Sequence, residues 1–229
     1  MAANLAAADR RGGFASLQAQ PELVRFGAVG LAQPVALPAS LSLDAAAADL
    51  LLLAEQVERA TDLAVVVLPL AGVLLAASTV PSGWSRVLAA WSGLRLTTIA
   101  ALEGTLSFAA TTLAAVLDFR VASRGTVLTA YCNGVPGSCL HSRLIDVCGQ
   151  IYSFELSPTD PIRATDAMLA GLADDLAAPG EAVTKALRFA QRVAASPEAA
   201  RRMAKLAIKG QELRHGADPC VCPLHRRAN

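Results

Sequence analysis

The sequence predicts an α/β fold in which strands and helices alternate along the chain. The first observation is a series of short apolar or β-branched runs, each bounded by Gly or Pro, as is typical of strands. The second observation is that segments with apolar residues at helical spacing separate these runs. Strands that alternate with helices indicate an α/β architecture with crossover connections.

The elements of this architecture can be assigned in chain order. Asp44–Ala60 places Leu50, Leu53 and Val57 at helical spacing with charged residues opposite them, which predicts an amphipathic helix. A shorter helix is predicted over Ser85–Trp91. The runs predicted as strands are Leu23–Phe26, Leu31–Leu37, Leu63–Leu68, Thr97–Leu102, Phe119–Ala122 and Thr126–Ala130.

The C-terminal third of the chain differs from the rest, because Asp160–Gln211 is Ala-rich and predicted to form three helices. Pro179 and Gly180 mark the first break, and Ser196 and Pro197 mark the second. At the second break we expect Ser196 to cap a helix that has Pro197 in its first turn. The expected layout is a poorly ordered lead-in over residues 1–20, a core over 21–158, a C-terminal helical region over 159–215 and an aperiodic tail over 216–229.

Composition favours a single domain that takes a small, mostly apolar ligand. The 229 residues suffice for one sizeable core, and the net charge of +1 gives no electrostatic footprint for nucleic acid or an anionic membrane. The longest apolar run, Leu63–Ala77, contains Pro69 and Gly72 and is shorter than the roughly 18 residues of a spanning helix. No secretory signal is visible, so we expect a cytoplasmic protein whose five cysteines are reduced thiols.

Leu96–Ser123 is the most informative segment for function. A β-branched, apolar strand ends at Glu103 and Gly104, and Phe108–Leu117 then predicts an almost wholly apolar helix that is buried on all sides. The start of such a helix directs free backbone N–H groups and the positive end of its dipole towards the turn. This arrangement suits a developing oxyanion.

The segment resembles the crotonase (enoyl-CoA hydratase/isomerase) superfamily, in which the same strand, turn and helix end in a motif like Asp118–Ser123, DFRVAS. Leu63–Val80 is similar to the family's first oxyanion strand and turn. Arg163–Leu176 and Ala194–Ile208 are similar to its late helices. The resemblance implies a spiral of strand-strand-helix repeats with C-terminal helices, a homotrimer or hexamer, and an acyl-CoA or acyl-carrier thioester as substrate with no further cofactor.

The resemblance also implies a site. The oxyanion amides would belong to Ser78 and Ala109, in turns that are less glycine-rich than in most relatives. Thr112 and Cys132 stand where the two glutamates of the hydratases would be, and His141 is the obvious proton carrier nearby. Since neither Thr nor Cys replaces a carboxylate, we expect no enoyl-CoA hydration.

Several of these residues also have a structural interpretation. Cys132 could be a small buried residue that fills the space of a missing glutamate, and His141 could be a partly exposed structural histidine. Glu103 is the carboxylate nearest to the expected amides and could be functional or structural. Asp118 is expected to be structural, because it ends the helix.

Two features near the C-terminus invite ligand assignments. Lys205 and Lys209 match the region in which relatives often hold the phosphates of CoA. Cys220, Cys222 and His225 invite a zinc site, but three ligands without a second cluster in an aperiodic tail favour disorder, and we expect no metal.

Two functions from different classes are consistent with the sequence. The first is an enzyme, a lyase or isomerase of polyketide or glycopeptide-type secondary metabolism, that forms a thioester enolate by decarboxylation or isomerisation. The second is a catalytically silent auxiliary subunit that supports a partner enzyme. Bulkier oxyanion turns and the missing glutamates favour the second function, whereas the apolar helix and the late lysines favour the first.

Overall fold

A parallel sheet forms the centre of the fold. The structure, a computed structural model, describes residues 21–34, 43–71, 83–129 and 161–215. In these ranges six strands form one sheet in the order β1-β2-β3-β4-β6-β9. The β1 and β2 strands are antiparallel, and all the remaining neighbouring pairs are parallel. A smaller sheet has the order β5-β7-β8. The strands are β1 (Glu22–Phe26), β2 (Val29–Gln33), β3 (Val65–Ala71), β4 (Thr97–Glu103), β5 (Thr105–Leu106), β6 (Phe119–Ser123), β7 (Val127–Leu128), β8 (Ile162–Arg163) and β9 (Asp175–Ala177).

Helices cover both faces of the large sheet. Three helices, α1, α2 and α3, contribute to the larger apolar core on one face, and α5 packs on the other face. Parallel sheets are normally covered in this way, because their crossover connections place helices on the faces. The described helices are α1 (Leu43–Arg59), α2 (Trp84–Gly93), α3 (Phe108–Val116), α4 (Ala164–Leu169), α5 (Ala182–Ala194) and α6 (Glu198–His215).

Alternation along the central strands supplies both cores. In β4, Ala100 and Leu102 point into the larger core, whereas Ile99 and Ala101 point towards α5. Successive side chains of a strand face opposite ways, so a continuous apolar run is the pattern of a strand buried on both faces. The α/β class and the helices expected over residues 44–60, 85–91 and 108–117 are confirmed to within two residues at each end.

The region over residues 159–215 is not wholly helical, which corrects the sequence-based expectation. α4 ends near Gly171, whose φ of 79° turns the chain away from the helix. Asp174 is then held at the sheet edge, because its carboxylate bonds to the backbone and guanidinium N–H groups of Arg120. As a result Leu176, expected at the end of a helix, lies in β9 and pairs with Ala122 of β6.

The start of α6 also differs from the expectation. The Ser196 hydroxyl donates to the carbonyl of Arg192 at 3.3 Å, in the last turn of α5, and does not cap α6. Pro197 precedes α6, and its carbonyl accepts the Arg201 amide at 3.1 Å. Ser196 therefore closes the preceding helix and does not open the next one.

An ion pair connects α5 to β9, the strand at one edge of the large sheet. Lys185 Nζ lies 2.6 Å from both Asp175 Oδ1 and the Leu176 carbonyl. The hydrogen bond from Lys185 lowers the pKa of the Asp175 carboxyl below its usual value. Because both side chains are partly exposed, this pair contributes little to stability.

A buried ion pair attaches α6 to the start of β4. Lys205 Nζ donates to Asp118 Oδ2 at 2.7 Å and to the Leu96 carbonyl at 2.6 Å. Asp118 Oδ2 also accepts from the amide and the hydroxyl of Thr98, and the Thr98 hydroxyl in turn accepts the Asp118 amide. The structural role expected of Asp118 agrees with these contacts, which join α6, β4 and the end of α3.

We predict that Lys205→Met destabilises the protein by about 3 kcal/mol, since it leaves a buried carboxylate without its cation. Urea unfolding followed by circular dichroism measures the effect. Arg202→Met is the matched control, because Arg202 lies on the same helix in an exposed 4.0 Å pair and should change stability by less than about 1 kcal/mol. Equal effects of the two substitutions would contradict the role assigned to the buried pair.

Candidate functional site

The candidate site lies at the start of α3, beyond the carboxyl end of β4. Gly104 has a φ of 72°, a conformation that L side chains rarely adopt, and it turns the chain out of the strand. Ser107 is the N-cap of α3: its hydroxyl accepts the Ala110 amide at 3.3 Å and its carbonyl accepts the Thr111 amide at 2.9 Å. A serine ahead of an apolar helical run is a common capping signal, so the sequence alone could have identified Ser107.

The Ala109 amide is the most informative group of the site. Ala109 is the second residue of α3 and only 2% exposed, and within the described residues its N–H donates to no acceptor. The positive end of the helix dipole lies at this position. A buried, unbonded N–H at a helix start can donate to a carbonyl oxygen that gains negative charge.

Thr112 lies one turn further along α3, and neighbouring groups occupy its hydroxyl. Oγ1 donates to the Ala109 carbonyl at 2.8 Å and accepts from Trp84 Nε1 at 3.3 Å. The side chain is 0% exposed, and all nine residues of α3 are buried. Thr112 thus joins α2 to α3 and offers no carboxylate for proton transfer.

Glu103 ends β4 close to the candidate site, but its contact is with the backbone. Oε1 accepts the Gly180 amide at 3.0 Å. Gly180 has a φ of 79° and belongs to the loop that precedes α5. Glu103 therefore fixes this loop against the carboxyl end of the sheet, which is a structural role.

Lys205 lies at the other end of the sheet from Ala109. The residue is 8% exposed and its ammonium contacts the start of β4, whereas Ala109 follows the end of that strand. The two ends of a seven-residue strand are about 20 Å apart. Lys205 has a structural role here, and a contact with a CoA phosphate stays a prediction.

None of the other expected site residues has a described side chain. Ser78, Cys132 and His141 lie outside the described residues, and so do the Cys220, Cys222 and His225 of the tail. Lys209 belongs to α6, but its side chain is not described. Of the residues predicted from sequence, the structure brings together Ala109 and Thr112. Trp84 is an unexpected third member, because a hydrogen bond across 28 positions leaves no local signal in the sequence.

Two further properties of the described ranges bear on the site. No group of three or more His, Cys, Asp or Glu side chains converges there in a way that could hold a metal ion. In the same ranges no helix has both the length and the apolar character needed to cross a membrane.

Comparison with solved structures identifies the architecture. A monofunctional enoyl-CoA isomerase from M. smegmatis superposes with a TM-score of 0.71, at 19% identity over 86% of this chain and 98% of its own. DspI from Pseudomonas aeruginosa gives 0.71, at 20% identity over 95% of this chain and 96% of its own. This chain has the crotonase fold.

A third structure of the crotonase fold is also similar to the chain. It is an enoyl-CoA hydratase from Bacillus anthracis, with a TM-score of 0.69 at 21% identity over 87% of this chain and 91% of its own. No family model matches the sequence, and no curated protein matches it. The likeness to crotonase structures is therefore one of fold, carried by geometry at low sequence identity.

We predict that Thr112→Val lowers stability by about 2 kcal/mol, because it leaves the buried Trp84 N–H without its acceptor. Thr112→Ser is the matched control, since it keeps the hydroxyl and should restore most of the loss. Urea unfolding followed by tryptophan fluorescence measures both variants. A Val variant as stable as the Ser variant would show that the hydroxyl does not join α2 to α3.

Proposed function

We propose that the protein acts on an acyl thioester, of CoA or of a carrier protein, by stabilising its enolate with backbone amides. The observation that carries the proposal is the buried Ala109 amide at the start of α3 in a crotonase fold, which donates to no acceptor among the residues that the structure describes. The Ser78 amide would be the second donor. Two N–H groups aimed at one thioester oxygen stabilise the charge that develops there.

The reaction we propose is decarboxylation or isomerisation, not hydration. In decarboxylation the bond between the α-carbon and the carboxylate breaks, and its electron pair passes into the thioester as an enolate while CO₂ leaves. A proton then adds to the α-carbon, for which Cys132 and His141 are the proposed nearby groups. Decarboxylation needs no base to form the enolate, which suits a site with Thr112 in place of a glutamate. Isomerisation removes a proton from one carbon and adds it to another, and Cys132 and His141 are the proposed groups for that transfer as well.

The structures that resemble this chain support chemistry of this kind. They include an enoyl-CoA isomerase and an enoyl-CoA hydratase, enzymes named for CoA thioesters. The Thr112 hydroxyl is hydrogen-bonded to Trp84 Nε1 and to the Ala109 carbonyl, which argues against a role for it in hydration. We also propose a cytoplasmic location and a place in polyketide or glycopeptide-type metabolism, and that Lys209 contacts a CoA phosphate.

A silent auxiliary subunit is the second candidate. The specific observation in its favour is that the polar side chains around the start of α3 contact protein groups: Thr112 contacts α2 and Glu103 contacts the Gly180 loop. A protein that only supports a partner enzyme could keep the fold and lose proton transfer.

We predict that the wild-type protein binds a non-hydrolysable acyl-CoA with micromolar affinity, as measured by calorimetry. The protein should also catalyse exchange of the α-protons of this acyl group with deuterium, as measured by mass spectrometry. Ala109→Pro removes the candidate N–H and should slow exchange about a hundredfold. Ala199→Pro is the matched control, because Ala199 is the exposed second residue of α6. Absence of both binding and exchange would favour the silent subunit.

We predict no hydration of crotonyl-CoA at ordinary enzyme rates, since the site residue Thr112 cannot act as a carboxylate base. Loss of the enoyl absorbance measures the reaction. Malonyl- and methylmalonyl-CoA, assayed for CO₂ release on the same preparation, provide the positive arm. Rapid hydration would overturn the proposed reaction class.

We further propose a homotrimer or hexamer. In α6 the Lys205 side chain is buried, whereas Met203 is 66% exposed and Leu206 is 63% exposed, an apolar pair that association would cover. Light scattering on the eluted protein should give a trimeric or hexameric mass, and Met203→Asp with Leu206→Asp should lower it. Leu52→Asp, at an exposed apolar residue of α1, is the control that should leave the mass unchanged.

A further inference from the structure

A cleft of about 400 Å³ lies at the amino ends of β3 and β4, the opposite end of the sheet from Ala109. Its walls are the residues that lead into these strands and the corner between α5 and α6. Small-molecule sites in proteins commonly have this volume. The acyl-thioester site proposed above does not use this cleft.

Two arginines of the cleft are held in place by backbone carbonyls. Arg95 Nη2 donates to the Ala60 carbonyl at 2.9 Å, beyond the end of α1. Arg201 Nη1 donates to the carbonyls of Ala194 and Ser196, at the end of α5. Each guanidinium has five N–H donors, so these bonds fix its position and leave most of its donors free for a ligand.

The carboxylates of the cleft have other cations beside them. Arg25 Nη1 donates to both oxygens of Asp62, at 3.0 and 2.9 Å. Glu198 faces Arg202 at 4.0 Å. Among the described residues no carboxylate forms an ion pair with Arg95 or Arg201, so two positioned cations at the cleft lack an acidic partner.

The start of α6 adds to this positive field. Glu198, the first residue of this 18-residue helix, lies in the wall of the cleft. The first-turn amides and the positive end of the helix dipole therefore lie at the same wall as Arg201 and Arg202.

We propose that this cleft binds a small phosphate-bearing anion, independently of the acyl-thioester site. Planar guanidinium forks match phosphate oxygens, and a phosphate can bridge two of them, whereas a single carboxylate is best matched to one. The source of the phosphate is either an inorganic polyphosphate or a nucleotide, both of which the cleft volume admits.

Isothermal titration calorimetry with inorganic pyrophosphate tests the proposal on the full chain. We expect saturable binding, weakened about tenfold by Arg95→Gln, because one charge-assisted contact is lost. Arg95 is an exposed residue, so we expect the substitution to leave the fold intact. Arg124→Gln is the matched control: it makes the same charge change at an exposed residue beyond the carboxyl end of β6, and should leave affinity unchanged.

A gain of affinity guards against a folding artefact. Glu198→Gln removes a negative charge from the cleft wall and should tighten pyrophosphate binding about threefold, a result that unfolding cannot produce.

Ala109→Pro should leave pyrophosphate binding unchanged, so failure of the thioester proposal and failure of the cleft proposal can be distinguished. Tighter binding of AMP than of pyrophosphate would indicate a nucleotide, and the reverse order would indicate a polyphosphate. Absence of saturable binding, or equal weakening by Arg95→Gln and Arg124→Gln, would overturn the proposal.

Discussion

The relative positions of α3, β4 and α6 depend on the hydrogen bonds of one buried carboxylate, that of Asp118. It accepts hydrogen bonds from Thr98 at the start of β4 and from Lys205 on α6, and it lies two residues after the end of α3. Removing any one partner would leave a charge or a donor in a low-dielectric interior, so the three elements are fixed together. Since α3 is a rigid rod of about 13 Å, fixing its end also positions its start, where the Ala109 amide lies.

The sheet therefore has two chemically different ends. At the carboxyl ends of the strands, a neutral helix start offers backbone N–H groups in an apolar setting. At the amino ends, guanidinium groups held by helix-terminal carbonyls surround a polar cleft. The first environment suits a carbonyl oxygen that gains partial negative charge, because correctly oriented N–H groups can stabilise it. The second environment suits a fully charged anion such as phosphate, because the guanidinium groups supply compensating positive charge.

Local patterns in the sequence predicted the elements well, and long-range contacts were beyond them. The apolar run Phe108–Leu117 and the spacing in Asp44–Ala60 each indicated a helix, because burial of a face or of a whole helix leaves a periodic signal. Strand β9 was missed because its pairing depends on a salt bridge between Arg120 and Asp174, which are 54 positions apart. The inward direction of Lys205 was likewise unreadable, since its partner lies 87 positions away.

The contact between Trp84 and Thr112 has a consequence for spectroscopy. Both tryptophans of the chain lie on α2, where Trp84 bonds to α3 and the Trp91 indole bonds to the Leu50 carbonyl of α1. The layer on the other face of the sheet, formed by α5, contains phenylalanine but no tryptophan. Indole emission therefore reports on one face of the sheet alone, so a partial unfolding that changes this emission can be assigned to that face without labels.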